Sequence, residues 1–251
     1  MAEISDQTPR QAEVTLNESD ESKLMVEEDV LELRRLYLAS KSEALEEFSI
    51  TTYKRFFIGR KRNLQIALRD LLRFAQWRDE HQAKTLTMEE CGEYGKRRVS
   101  FLHGRDKLNR PVVVTLSRRQ PGFDRDISEV AKYIIYVFDQ ALAASIPGDE
   151  KILSLLDLSG FSLRNMDFET TRIYFNCLQL YYPETLGQLL VLNAPLVFSA
   201  CWAMIRPWLD ADTAAKFKFI HYDELENYID RDQICPEVGL SAEELANDAE
   251  D

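Results

Sequence analysis

The chain has 251 residues, of which 45% are hydrophobic and 29% are charged, a composition that is ordinary for a globular protein. This length allows one domain of roughly 200 residues with tails, or two small domains, and no apolar run reaches the roughly 18 residues that span a bilayer. The net charge of −12 is concentrated in the two ends, which predicts acidic, disordered tails over residues 1–26 and 237–251.

The N-terminal quarter is predicted to be helical. Apolar residues at helical spacing indicate helices over residues 27–47, 49–60 and 63–81. Thr51 and Asn63 are candidate N-caps for the second and third of these helices. Thr87 and Glu90 stand at the spacing of a capping box and predict one more short helix. We therefore assign residues 27–95 to a helical N-terminal subdomain.

Strands and helices alternate over residues 96–236. Apolar and β-branched runs predict strands over residues 98–103, 111–116, 151–158, 188–193 and 217–221. Helical patterns cover residues 127–145, 167–181, 196–209 and 222–229. This alternation predicts an α/β domain with a largely parallel sheet flanked by helices. Such sheets bind ligands beside their strand ends.

The sequence shows none of the common signatures of catalysis, which are GxSxG, Walker A, GxGxxG and HExxH. Asp157 ends a buried-looking strand and is interpreted as a structural acid that binds amides of the following loop. His103 and His221 lie at strand ends and are interpreted as structural or exposed. The four cysteines form no CxxC pair and are interpreted as free thiols in a reducing cytoplasm. No catalytic residue and no metal ligand is predicted.

Residues 181–216 carry the most informative pattern. Glu184 lies in a Pro-containing turn, a strand follows, and an Asn-Ala-Pro turn opens a helix that is apolar on nearly every face. This much aromatic surface beside isolated charges suits the enclosure of an apolar ligand with a polar head. The alternative is a buried helix that simply packs on the sheet.

Five segments resemble one known family in both order and spacing. They are FFIGRK, DKLNRPV, LLDLSG, YYPETLGQLLVLNAP and FSACWAMIRPWLDADTAAKFKFI. The segments resemble the CRAL-TRIO lipid-binding domains and look most like the yeast-type phosphatidylinositol-transfer proteins. The resemblance implies a helical N-terminal bundle and, over residues 96–236, an α/β domain whose sheet and helices enclose a lipid pocket. It also implies a gating helix at residues 198–209, with the apolar residues Phe198, Trp202, Ile205 and Trp208.

The inositol headgroup site of that family carries over, residue by residue, onto a quartet of polar residues in this chain. They are Arg60, Glu184, Thr213 and Lys216. A guanidinium and a hydroxyl group suit a phosphodiester, and a carboxylate and an ammonium group suit the inositol hydroxyls. The alternative is that Glu184 and Lys216 form only a salt bridge with each other.

The family's second headgroup site, which serves phosphatidylcholine, is altered in this chain. Leu102 and Val113 occupy its tyrosine positions, and Ile152 and Ser154 occupy its hydroxyl positions. A choline group requires aromatic faces, and only Ser154 is still able to donate to a phosphate. We therefore expect weak phosphatidylcholine binding or a different apolar ligand at this site.

The resemblance implies a non-catalytic protein that binds phosphatidylinositol and transfers or presents it between membranes. The expected partners are a phospholipid and, transiently, a membrane surface, without nucleic acid and without a cofactor other than the bound lipid. The protein is expected to be a cytoplasmic monomer. Two alternatives remain open: a regulatory interaction module that uses the fold for targeting, and a carrier of another hydrophobic ligand.

Overall fold

The computed structural model describes residues 18–121, 126–162, 166–241 and 243–245. Its N-terminal part is helical, as predicted. The helices are α1 (Glu18–Ser40), α2 (Ile50–Gly59), α3 (Leu64–Glu80) and the short α4 (Gly92–Lys96). The α/β part that follows contains β1 (Ser100–Arg105), β2 (Pro111–Leu116), α5 (Ile127–Ala143), β3 (Ile152–Asp157), α6 (Phe168–Tyr181), β4 (Leu186–Leu192), α7 (Phe198–Ile205), α8 (Ala211–Ala215) and β5 (Phe217–Ile220).

Local signals placed some helix ends correctly and others wrongly. Asn63 is the N-cap of α3, as predicted, and its side chain accepts a hydrogen bond from the Ile66 amide. The N-cap of α2 is Ser49 and not Thr51, because the Ser49 hydroxyl accepts from the Thr52 amide. The prediction of a helix over residues 222–229 was wrong in type, because residues 222–227 form a 3-10 helix.

Both predicted acidic tails were drawn too long. Helix α1 begins at Glu18 and ends at Ser40, so residues 18–26 are helical and not disordered. At the other end, Glu237 binds Arg119 and Val238 is buried in a core cluster. The prediction was wrong at both places because it followed the acid-rich composition. Composition shows neither helical periodicity nor a single buried apolar residue. Residues 1–17 and 246–251 lie outside the described residues.

The five strands form one sheet in the order β1-β2-β3-β4-β5. Strands β1 and β2 pair antiparallel, and every later pair is parallel. Parallel neighbours are joined by right-handed crossovers. Because the strands follow one another in space as in sequence, such crossovers place α5, α6 and α7 on the same face of the sheet.

The opposite face of the sheet is covered by the C-terminal segment. Side chains alternate between the faces of a strand, so Val114, Leu155 and Leu190 point away from the crossover helices. They pack in a buried cluster with Leu225, Ile229, Cys235 and Val238 of the segment that follows β5. This face of the sheet is therefore covered by packed apolar side chains.

Buried ion pairs attach the helical subdomain to the α/β part. Arg55 of α2 donates through Nε to Glu150 at 2.6 Å and through Nη1 to Thr185 at 2.9 Å. Arg78 of α3 donates through Nη1 to both carboxylate oxygens of Asp139 of α5, at 2.8 and 2.9 Å. Both guanidinium groups are largely buried, so each depends on its carboxylate partner.

Replacing Arg55 should destabilise the protein strongly. The Arg55→Met variant removes the charged partner of the largely buried Glu150 carboxylate, which then keeps only the hydrogen bond from the Thr51 hydroxyl, and breaking a buried ion pair typically costs about 3–5 kcal/mol. We expect a loss of this size in the free energy of unfolding, measured by urea denaturation. Glu32→Gln, which breaks the exposed Arg35–Glu32 pair on α1, is the control and should cause no measurable loss. Equal, small losses in both variants would contradict the role of the Arg55 pair.

Candidate functional site

A cavity lies between the open face of the sheet and the helices α5, α6 and α7. The space amounts to about 1140 Å³ when the open solvent at its mouth is included. The cavity therefore opens to solvent, and its enclosed part is smaller than this volume.

The lining of the cavity contains no charged side chain among the described residues. The floor is formed by sheet residues, which include Val113, Ser154, Leu189, Val191 and Phe217. The walls are formed mainly by apolar residues of α5 and α6, such as Ile134, Val137, Phe138 and Phe175. Burying an unpaired charge in such surroundings is costly. The interior is therefore suited to apolar chains, and a charged headgroup has no partner there.

Helix α7 forms one wall of the cavity, as the gating-helix interpretation implies. Phe198, Trp202 and Ile205 line the cavity. The Trp202 ring packs against Phe217 of β5 with ring centroids 4.8 Å apart. Trp208 lies in a 3-10 turn after α7, packs against Phe168 and does not line the cavity. Three of the four predicted gating residues thus face the ligand space.

Apolar side chains are exposed on α7, in the turn before it and on β5. Leu196 is 95% exposed, and Met204 is 50% exposed. Val197 and Phe219 are somewhat less exposed than Met204. Helix α7 also packs on the sheet side through the buried residues Phe198, Cys201 and Ile205, so its gating role stays a prediction. We call Leu196, Val197, Met204 and Phe219 the outer apolar surface.

Ser154 lies on the cavity floor, where it is already engaged. Its side chain is hydrogen-bonded to the Tyr174 hydroxyl of α6. Burial raises the pKa of Tyr174 to about 12, although the hydrogen bond to Ser154 opposes this shift. A phosphate bound at Ser154 would have to displace Tyr174 or share the hydroxyl with it.

The altered phosphatidylcholine positions lie together on the sheet. Leu102 is paired with Val113, and Val113 is paired with Ser154 in the next strand. Val113 and Ser154 border the cavity, whereas Ile152 is fully buried in the core. The aromatic faces that a choline group requires are absent from these four positions.

The four predicted headgroup residues lie outside the cavity lining. We call the side of the sheet where β2 to β5 begin its amino edge. Glu184 stands two residues before β4, and Lys216 directly precedes β5 and bonds through its carbonyl oxygen to the Leu189 amide at 2.9 Å. Gly59 packs so closely on Pro183 that a Cβ atom there would collide with it. This contact brings the end of α2, and Arg60 after it, to the Glu184 turn.

Arg60 is held by protein groups. Its Nε donates to Asp70 at 2.6 Å, and Nη2 donates to the carbonyl oxygens of Gln179 and Leu180 at the end of α6. Burial raises the pKa of the Asp70 carboxyl, but hydrogen bonds from Arg69 and Arg60 outweigh it and lower this pKa overall. Arg60 thus ties α2, α3 and α6 together, a structural role that the sequence did not reveal.

The other three residues of the quartet are more accessible. Glu184 is paired with Lys151 at 3.0 Å, and not with Lys216 as the alternative interpretation required. The Thr213 hydroxyl donates to Asp210, the N-cap of α8, at 2.8 Å. Lys216 is half-buried and forms no salt bridge with any residue that the structure describes. Lys216 therefore carries a cation at the amino edge that has no charged partner among the described residues.

Asp157 has the structural role predicted for it. It is fully buried and accepts hydrogen bonds from the amides of Ser159 at 2.9 Å and Gly239 at 3.0 Å. Arg118 lies 3.4 Å from the same carboxylate. This acid fastens the C-terminal segment to the end of β3.

Other site types find no support in the described part of the chain. It contains no group of three or more His, Cys, Asp or Glu residues placed to hold a metal ion. Its helices include none that is long and apolar enough to cross a membrane. All four cysteines are buried free thiols, and burial raises the pKa of Cys177 to about 12.

Sequence reasoning missed the polar side chains of the cavity wall. Thr170, Thr171 and Tyr174 of α6 all border the cavity. Thr170 and Thr171 precede Tyr174 by four and three residues, which are the spacings that place each of them beside Tyr174 on the helix surface. The sequence pattern that could have revealed these side chains is the group of hydroxyl residues on the core-facing side of α6.

Comparison with known proteins agrees with this architecture. The family model for the CRAL/TRIO domain matches residues 96–239. A CRAL-TRIO domain-containing protein of Schizosaccharomyces pombe is 29% identical over 204 residues, covering 74% of this chain and 44% of that protein. The phosphatidylinositol transfer protein CSR1 of Eremothecium gossypii is 36% identical over 149 residues, covering 59% of this chain and 33% of its own. This chain thus spans less than half the length of these two relatives.

A solved structure confirms the predicted fold. The crystal structure of Sfh5 superposes with a TM-score of 0.62 and 15% sequence identity, covering 94% of this chain and 98% of that chain. At this identity the likeness concerns the fold alone. The α/β class, with a helical bundle before a mostly parallel sheet, was therefore predicted correctly from the sequence.

The buried Tyr174 should make stability depend on alkaline pH. Because its pKa is raised from 10 to about 12 in the folded state, its contribution is complete below pH 10 and is lost as the pH rises toward 12. We expect the free energy of unfolding, measured in urea, to decline more steeply between pH 9 and pH 11 in wild type than in Tyr174→Phe. Replacing the exposed Tyr222 by Phe should keep the steep decline. Identical slopes in wild type and Tyr174→Phe would contradict the burial of this hydroxyl.

Proposed function

This chain belongs to the CRAL/TRIO domain family, and we propose that it binds one phosphatidylinositol molecule in the cavity and transfers or presents it between membranes. The observation that supports this function most directly is the cavity between the sheet and the helices α5, α6 and α7, whose described lining residues are uncharged and mostly apolar. A matched relative is named a phosphatidylinositol transfer protein. The process requires no catalytic step, metal or cofactor other than the lipid.

The free energy of the acyl chains does not select one phospholipid from another. Acyl chains leave one apolar environment, the bilayer, for another, the cavity, so the net change in hydrophobic free energy is small. Every phospholipid with similar acyl chains gains the same free energy from contact with the cavity wall. Selectivity therefore depends on groups outside the apolar lining.

We assign the headgroup to the amino edge of the sheet, next to Glu184, Thr213 and Lys216. Lys216 has no salt-bridge partner among the described residues and is the natural ligand of the phosphate. Glu184 accepts hydrogen bonds from inositol hydroxyls once its salt bridge with Lys151 is broken. Arg60 contributes from its position behind the Glu184 turn through Nη1, which forms no hydrogen bond with the described residues.

The outer apolar surface is the proposed membrane contact. Leu196, Val197, Met204 and Phe219 insert at the lipid interface, where an apolar helix face is stabilised. Movement of α7 away from the sheet then opens the cavity directly to the bilayer. The protein acts as a cytoplasmic monomer that touches membranes transiently, without a nucleic acid partner.

Replacing Lys216 should reduce phosphatidylinositol transfer. A hydrogen bond to a charged group contributes about 1.5–3 kcal/mol, so Lys216→Gln should lower transfer between vesicles by about tenfold or more. Lys218→Gln is the matched control, because Lys218 lies two residues further along β5 with its ammonium over the Tyr228 ring at 5.5 Å. The assignment of the headgroup fails if Lys216→Gln transfers at the wild-type rate, or if both variants lose transfer equally.

Membrane contact should expose Cys201. This thiol lies on the cavity-side face of α7 and is buried in the closed structure, and burial raises its pKa. We expect anionic vesicles to accelerate maleimide labelling at Cys201, resolved residue by residue with mass spectrometry. Cys235, buried on the opposite face of the sheet, is the internal control and should be unaffected. Labelling of Cys201 that does not respond to vesicles would refute the gating movement.

A further inference from the structure

The two edge strands of the sheet differ in how their outward backbone groups are satisfied. On β1, the Ser100 amide donates to the Tyr133 hydroxyl at 2.8 Å, and the same hydroxyl donates to the Ser100 carbonyl oxygen. At the end of β1, the Arg105 amide donates to Gln233 Oε1 at 3.3 Å. Side chains of α5 and of the C-terminal segment thus cap the edge at β1.

The opposite edge strand, β5, has no such cap. The Leu189 amide of β4 donates to the carbonyl oxygen of Lys216, and the Asn193 amide donates to that of Ile220. The two backbone groups of one residue point to the same side of a parallel strand, and this side alternates along it. Phe217 and Phe219 therefore direct their amides and carbonyls away from β4, where these groups have no hydrogen-bond partner among the described residues.

The uncapped edge is open to solvent. Phe219 is 45% exposed, and Lys218 beside it is also exposed. Unpaired amides and carbonyls along an accessible edge form a template for another strand. The β5 edge is therefore a surface to which an extended chain is able to bind.

The side chains of β5 give its two faces different chemistry. The rings of Phe217 and Phe219 lie on the side of α7, with centroids 4.8 and 5.3 Å from that of Trp202. Lys218 points to the other face, where its ammonium group lies over the Tyr228 ring at 5.5 Å. Lys218 forms no salt bridge with a residue that the structure describes. The edge thus offers aromatic rings on one face and a cation without a carboxylate partner on the other.

A second copy of this chain does not fit the edge. Antiparallel pairing of two β5 strands through both Phe217 and Phe219 would place the two copies of Lys218 directly opposite each other. Their Cα atoms would be only about 4.5 Å apart, and like charges in this position are destabilising. A lysine on an edge strand commonly keeps copies of one protein from pairing. The same charge favours a strand that carries an acidic residue.

We propose that β5 is a docking edge for an extended acidic segment of a partner protein, which joins the sheet as an antiparallel sixth strand. The segment has an acidic residue flanked by two apolar residues. The acidic residue lies opposite Lys218, and the apolar residues lie opposite Phe217 and Phe219, on the side of Trp202. Main-chain hydrogen bonds supply the affinity, and the alternating side chains supply the specificity.

The docked strand would also affect the proposed membrane contact. Phe219 belongs to the outer apolar surface, so a strand on β5 would cover part of that surface. The partner and the membrane would then compete for the protein. The pairing itself uses no residue of the headgroup site and does not depend on phosphatidylinositol binding.

A matched pair of peptides tests the docking edge. The probe is the blocked peptide Thr-Thr-Val-Glu-Val-Thr-Thr, and its control carries Lys in place of Glu. We expect millimolar acidic peptide to shift the NMR signals of the Phe217 and Phe219 amides and to slow their hydrogen exchange about fivefold or more, as one net hydrogen bond predicts. The Ser100 amide, which Tyr133 caps, should not respond. Equal binding of both peptides, or unchanged Phe217 and Phe219 amides, would overturn the proposal.

Methylation of single peptide nitrogens distinguishes strand pairing from other contacts. In the docked peptide, the amides of the two valines face β5, and the amide of the glutamate faces away from it. An N-methyl group on one valine should therefore remove the protection of the Phe217 and Phe219 amides, whereas an N-methyl group on the glutamate should preserve it. Equal effects of the two methyl groups would refute strand pairing.

A charge reversal locates the acidic requirement at Lys218. The Lys218→Glu variant should bind the lysine peptide more tightly than the acidic one. Lys54→Glu, at an exposed position of α2, changes the net charge equally and should keep the wild-type preference. An unchanged preference in Lys218→Glu would contradict the proposal. Protection of the two amides without peptide would also contradict it, by assigning the edge to a second copy if it grows with protein concentration, or to the membrane if anionic vesicles cause it.

Discussion

The strand order of the sheet determines where a ligand is able to bind. Because the strands are adjacent in space in the order of the sequence, right-handed crossovers place their helices on one face. The C-terminal segment fills the other face with Leu225, Ile229 and Val238. Asp157 fastens this segment through the Gly239 amide. The position of the cavity thus follows from the topology of the sheet, whereas individual side chains determine its lining.

The distribution of charge follows from the same arrangement. Arg55, Arg78 and Arg118 all lie close to the core, but each has a carboxylate partner away from the cavity lining. Those pairs join segments that are distant in the sequence. Among the described residues, the polar groups that line the cavity are hydroxyl and amide groups, so discrimination between charged headgroups has to take place outside this lining.

Features set by neighbouring residues were predictable from the sequence, and features set by distant partners were not. Asn63 and the strand over residues 111–116 were predicted correctly because a cap and a β-branched run are local signals. The structural use of Arg60 was missed because its partner Asp70 and the carbonyls of α6 are identified only by the folded chain. The cavity-facing positions of Phe198, Trp202 and Ile205 agree with the gate that the family resemblance implies, but apolar periodicity alone does not separate a gate from a core helix.

The central claim is that each folded chain encloses one lipid molecule, with its apolar part against the uncharged wall. Native mass spectrometry of protein purified under mild conditions tests it most directly. The account predicts a single mass increment of one lipid per chain, with fragments of phosphatidylinositol after collisional release. A folded chain that carries no lipid would contradict it.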